Sequence, residues 1–184
     1  MSNETPRIMK YQELLSQSRN HLVKSSNCIH NEISINLFSI GAKWMFDKLN
    51  ELDNKKSTKF DHSINYNLYG ILKYGICFFA LLISFFFFYK IHLFLTPLSV
   101  IVFYFFEVHF LFLFPLLIDK TKNPILMSIK QTYRIGIFQS IFTVIPIGFF
   151  MVFGLFKINN PFKNWYIGCL SIIIWYQNEV RNRI

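Results

Sequence analysis

Glu107 and His109 have side chains that could take part in acid–base chemistry, and they lie inside an otherwise unbroken apolar run. The run begins after Thr96-Pro97 and ends at Ile118-Asp119, so it is long enough to cross a hydrocarbon core of about 30 Å. Glu107 falls close to its middle. A carboxylate at that depth costs at least ~2.5 kcal/mol to insert, and ionisable residues there usually face protein or a water-filled cavity. The sequence therefore predicts one candidate site inside a membrane protein.

The spacing of Glu107 and His109 limits what this site can do. On a helix, residues two positions apart point about 200° from each other, so they cannot share a metal ion or form one acid–base pair. Tyr104 shares the face of Glu107 and could hydrogen-bond to it. Few cations are expected at that depth, so desolvation favours the neutral acid. We expect Glu107 either to hold helices together or to handle a proton, an ion or a substrate. For His109, an interhelical hydrogen bond is the simpler interpretation and a catalytic role the alternative.

A second candidate site follows the same apolar run. Its charged residues could hold the phosphate of a lipid headgroup, or they could be the ordinary positive charge found at the cytoplasmic ends of spans. The residues are Asp119, Lys120, Lys122 and Arg134, with Lys130 between the last two.

The chain lacks the sequence signatures of several classes of function. The chain has no HExxH zinc motif, phosphate-binding Walker loop, GxSxG elbow, set of histidine boxes or inverted repeat. Its three cysteines have no regular spacing, so neither disulfides nor a metal site are expected. We expect no cofactor. The net charge of +9 is concentrated beside the apolar segments, which favours a lipid bilayer as the partner and disfavours nucleic acid.

The elements that must position these residues are membrane-spanning helices. We predict an all-α polytopic fold with four spans, at about 71–89, 97–118, 137–156 and 161–177. The last is short, so three spans plus a re-entrant segment is the alternative. Lys73, near the start of the first span, is expected to snorkel to the headgroups. Pro115 removes a helical hydrogen-bond donor and predicts a kink in the second span.

Residues 1–66 form a polar region ahead of the transmembrane domain at 67–184. They contain nine of the nineteen basic residues and seven of the ten acidic ones. A helix from Thr5 to about Lys24 and another over 31–52 are predicted to form a cytoplasmic hairpin. The second helix has an apolar stripe, which either packs within the chain or docks a protein partner.

Loop charge predicts the orientation. Lysines and arginines near the span ends are concentrated on one side, which places both termini in the cytoplasm of a multi-pass plasma-membrane protein. The leading functional hypothesis is a small, non-catalytic membrane subunit that binds or positions a partner. One alternative is an enzyme acting on a lipid or lipid-linked substrate with Glu107 as acid or base. The other is a component of a proton-coupled carrier.

Overall fold

The computed structural model describes residues 10–24, 36–53, 59–156 and 162–181, and these residues form helices and turns with no strand among them. The all-α prediction is therefore confirmed for this part of the chain. A 3-10 turn, Leu93–Leu95, separates the third and fourth helices. The helices are α1 (Tyr11–Lys24), α2 (Leu37–Asp53), α3 (Tyr66–Ile91), α4 (Leu98–His109), α5 (Leu113–Ile118), α6 (Pro124–Ile135), α7 (Ile137–Leu155) and α8 (Phe162–Glu179).

Three helical segments are long and apolar enough to cross a membrane. They are Tyr66–Ile91, Leu93–Ile118 and Ile137–Leu155, and they match the first three predicted spans. The predicted fourth span corresponds to α8, which is 18 residues long but is not among the candidate spans found in the described residues. Its crossing therefore remains a prediction, and Pro161 at its expected start lies outside the described residues.

The chain divides into two compact units, of which the first combines Met1–Cys28 with Thr143–Ile184. In it α1 packs along α8, and the hydroxyls of Ser18 and Ser171 lie 2.9 Å apart with both side chains fully buried. Each hydroxyl also lies within hydrogen-bonding distance of a carbonyl one turn earlier in its own helix, so each has a partner. Gly154 lets α7 approach α8, because a Cβ there would overlap the side chain of Asn164.

The second unit, Ile29–Phe142, contains the sequence-predicted sites. Its core is formed where α2 packs against α3 and α5. Phe38 of α2 lies over Gly70 of α3, where any Cβ would overlap the ring, and it stacks on Phe114 with 6.1 Å between ring centroids. At the start of α2, Asn67 accepts a hydrogen bond from the Ser39 amide. The amphipathic helix is thereby fixed to the beginning of the first candidate span.

These contacts bear on the predicted N-terminal hairpin. The apolar stripe of α2 packs in its own unit, since Ala42 is buried in the core and Met45 contacts it. We find α1 packed on α8 within the other unit, and the pairing of α1 with α2 remains a prediction. Thr5, the expected start of the first helix, and residues 31–35 of the second lie outside the described residues.

Candidate functional site

Lys73 occupies an inward-facing position on α3. It lies seven residues after the start of the helix, which corresponds to about 10 Å along the axis. Its side chain is only 7% exposed, and Cys77, one turn further on the same face, is fully buried. The expectation that Lys73 snorkels away to the headgroups is therefore wrong. A buried ammonium at this position needs a compensating charge from a neighbouring helix.

Glu107 of α4 supplies that charge. The distance between Lys73 Nζ and Glu107 Oε1 is 3.8 Å, and the glutamate side chain is 19% exposed. The structure thus places a cation beside Glu107, where few cations were expected. At 3.8 Å the contact is an ion pair rather than a short charge-assisted hydrogen bond, which would measure about 2.7–2.9 Å. The pair joins the first two candidate spans and cancels the net charge at that level.

The register of the α3–α4 hairpin brings these two residues together. Lys73 pairs with Glu107, and Phe78 contacts Phe103 at 5.4 Å between ring centroids. In each pair, the point midway between the two residues in the sequence falls at residues 90–91. The chain therefore reverses its direction at the very end of α3. The hairpin therefore sets the position of the ion pair.

His109 belongs to a different contact. Its Nδ1 lies 2.6 Å from the Phe105 carbonyl oxygen and its Nε2 lies 3.2 Å from the Tyr133 hydroxyl of α6. Because a carbonyl only accepts, Nδ1 carries the proton and, in the neutral ring, Nε2 accepts from Tyr133. Glu107 contacts α3 whereas His109 contacts α6, as the angle between them on the helix requires. This arrangement separates the two candidate catalytic residues and gives His109 an interhelical role.

The second candidate span is interrupted at Phe110–Phe112, between α4 and α5. The interruption lies one turn before Pro115, in agreement with the predicted kink. Two hydroxyls of α6 donate to carbonyls at the end of α4: Ser128 to His109 at 2.9 Å, and Thr132 at 3.0 Å to Val108, which also accepts from the Leu111 amide. Backbone carbonyls inside a bilayer must be satisfied by protein, so α6 stabilises the broken helix. Sequence reasoning missed this contact, although the hydroxyls four residues apart on α6 were a usable signal.

The charged residues after the second span do not form one cluster. Lys120 Nζ lies 2.6 Å from Asp61 Oδ2, a residue of the α2–α3 connection that was not predicted to take part. Lys122 is exposed, and Asp119 lies partly buried at the end of α5. Arg134 lies near the far end of α6, about 15 Å along the helix axis from Pro124. A headgroup site containing all four predicted residues would have to extend along the whole of α6.

Electrostatics favour the charged form of Asp61. Its hydrogen bonds from Lys120 and from the Ser63 hydroxyl and amide hold the pKa of the carboxyl well below its usual value. No group of three or more potential metal ligands occurs among the residues that the structure describes.

Over the residues that the structure describes, these features define the class of the protein as an all-helical protein with three helices suited to crossing a membrane, two of them joined by an ion pair. No known protein family, curated protein or solved structure matches this chain.

Proposed function

We propose that this protein is a small, non-catalytic integral membrane subunit that binds or positions a partner protein. The observation that carries the proposal is the ion pair between Lys73 and Glu107. It engages the one acidic residue of the second span with a fixed partner in the same chain, as expected of a residue that holds two helices in register. A general acid or base instead needs access to a reacting group.

The surface proposed for the partner is the outer face of α2. The inner face of this helix is used by the chain's own core. Lys43, Asp47 and Glu51 recur every four residues on the outer side and are exposed, so they form one charged stripe. We infer that the partner presents a complementary polar surface next to the membrane, and that the contact is sensitive to charge reversal.

Site-specific photo-cross-linking in native membranes tests this proposal. A photoreactive residue replacing Asp47 should give one discrete adduct, and Lys43→Glu should abolish it. Lys59→Glu reverses an exposed lysine outside α2 and should leave the adduct unchanged. If position 47 gives no adduct and Lys43→Glu leaves the cellular phenotype of the protein intact, the partner proposal is wrong.

The topology belongs to the same proposal: four spans, with both termini on the cytoplasmic side of the plasma membrane. It is supported by the excess of basic residues at one set of span ends. Single cysteines introduced beside Lys90 and Lys163, in a variant without native cysteines, should react with an impermeant maleimide from outside the cell. Labelling of either position from the cytoplasmic side alone would exclude the four-span arrangement.

The enzyme and carrier alternatives depend on proton exchange at Glu107. Under either, Glu107→Asp should retain part of the activity and Glu107→Gln should abolish it in folded protein, since an amide does not exchange protons at useful rates. Under the subunit proposal, the phenotype of each Glu107 variant should instead follow the amount of folded protein.

A further inference from the structure

A cavity of about 550 Å³ lies where the first two candidate spans meet at one end. Span residues Leu68, Tyr69 and Leu117 form one part of its wall. The rest comes from residues outside the spans, among them Asp61 and Ser63 before α3 and Lys120 and Thr121 after α5. The cavity therefore crosses the boundary between apolar helix and polar loop. The cavity is open rather than enclosed, and where the two spans cross a membrane this boundary lies at the level of the phospholipid headgroups.

The polar part of the wall carries one fixed negative charge. Ser63 donates to Asp61 Oδ1 through its amide, at 2.9 Å, and through its hydroxyl, at 2.6 Å. These bonds orient the carboxylate and leave Oδ2 for Lys120. Asp61 is 24% exposed and lines the cavity, so its carboxylate can be reached from the cavity.

The matching positive charge is on a side chain that can move. Lys120 is 63% exposed, and an exposed ion pair of this kind contributes little net free energy. Its four-carbon chain lets the ammonium leave Asp61 and follow another anion without moving the backbone. The hydroxyl-bearing Thr121 lies next to it in the wall. The ion pair can therefore open to admit a ligand that has a cationic group for Asp61 and an anionic group for Lys120.

We propose that this cavity binds a phospholipid whose headgroup carries both a phosphate and a primary ammonium. The ammonium takes the place of Lys120 at Asp61 Oδ2, and the phosphate pairs with Lys120. One acyl chain lies along the apolar wall made by Leu68 and Leu117. After this exchange, Asp61 and Lys120 each still face an opposite charge. A headgroup with no net charge therefore fits this pair of residues, which also has no net charge.

Charge and hydrogen bonding select this headgroup over the other common ones. A purely anionic headgroup can pair with Lys120, but it leaves Asp61 beside a like charge. A choline headgroup has the right net charge but no N–H donor, so it cannot hydrogen-bond to the carboxylate as a primary ammonium can. The inference uses only the membrane crossing of the first two candidate spans and does not depend on a protein partner.

The test is a lipid titration of the delipidated full-length protein in detergent micelles, with bound lipid counted by native mass spectrometry. We expect dioleoyl phosphatidylethanolamine to bind at least tenfold more tightly than the choline and glycerol lipids with the same acyl chains. Asp61→Asn should remove the preference for ethanolamine over choline. Lys120→Gln should weaken binding of both lipids. Lys122→Gln removes an exposed neighbouring charge that does not line the cavity and should change neither.

Two further experiments test whether the ion pair and the lipid chain are both needed for binding. The charge-swapped variant Asp61→Lys with Lys120→Asp retains an ion pair, and it should fold and keep the ethanolamine preference. Soluble phosphoethanolamine at millimolar concentration should fail to displace the lipid; complete displacement would make the site one for a water-soluble phosphate ester and overturn the lipid assignment. Equal binding of the three lipids to the wild type, or equal losses in Lys122→Gln and Lys120→Gln, would also overturn it.

Discussion

The buried ion pair between α3 and α4 gives the sharpest energetic prediction. At 3.8 Å, two unit charges attract each other by about 4 kcal/mol at an effective dielectric constant of 20. Desolvation of both groups offsets part of this attraction. We therefore expect a coupling free energy of about 1–3 kcal/mol between Lys73 and Glu107. The coupling is the quantity to measure, because each single substitution also removes the ion-pair partner of the other charge.

A double-mutant cycle isolates this coupling. Lys73→Met and Glu107→Gln should each destabilise the protein, by up to ~3 kcal/mol. The amide at position 107 removes the carboxylate that pairs with the Lys73 ammonium. The double variant should lose less stability than the sum of the two single variants, because it contains neither charge.

Equilibrium unfolding in mixed detergent micelles, followed by circular dichroism, provides the measurement. Lys90→Met is the matched control, since Lys90 is an exposed lysine at the other end of the same helix. It should show no coupling to Glu107→Gln. If the effects of Lys73→Met and Glu107→Gln add within about 0.5 kcal/mol, the pair contributes nothing to folding and the reasoning fails.

Three further predictions concern packing, the helix interruption and pH. Gly70→Ala should lower the stability by about 1–3 kcal/mol, because the added methyl overlaps an aromatic ring of α2; an unchanged unfolding midpoint would contradict the packing. Thr132→Val should cost about 1 kcal/mol in the same assay by removing the hydroxyl that donates to the Val108 carbonyl, and a neutral result would show that water or backbone replaces it. The pKa of Asp61 is lowered in the folded protein, so its bond with Lys120 stabilises at neutral pH and weakens only as the pH falls below about 4. The stability difference between wild type and Asp61→Asn should therefore stay constant from pH 8 to 5, and a decline within that range would refute the assignment.

The broad fold could be predicted because its signals are local. Mean hydropathy over about twenty residues marks a span, and the three confirmed candidate spans lie within a few residues of their predicted positions. Pro115 predicted a kink in the second span, because a missing amide acts on the carbonyl one turn earlier, and the helix is interrupted at that position. The angle between Glu107 and His109 followed from helix geometry alone.

The partners of these residues could not be predicted in the same way. A hairpin that reverses at about residue 93, midway along the apparent turn, would place Glu107 opposite Phe79. The observed reversal at residues 90–91 instead brings Glu107 to Lys73. Nor does local pattern pair Asp61 with Lys120, which are 59 positions apart.

The sequence by itself determined the helices, the apolar segments and the residue types that could do chemistry, since these depend on neighbours within one or two turns. Only the tertiary structure decided that Lys73 faces Glu107, that α6 satisfies the carbonyls of the interrupted span, and that Asp61 and Lys120 line one cavity. The physical reason is that pairing depends on hairpin register and helix packing. A shift of one residue turns a helical side chain by about 100°, so small differences in register change every partner.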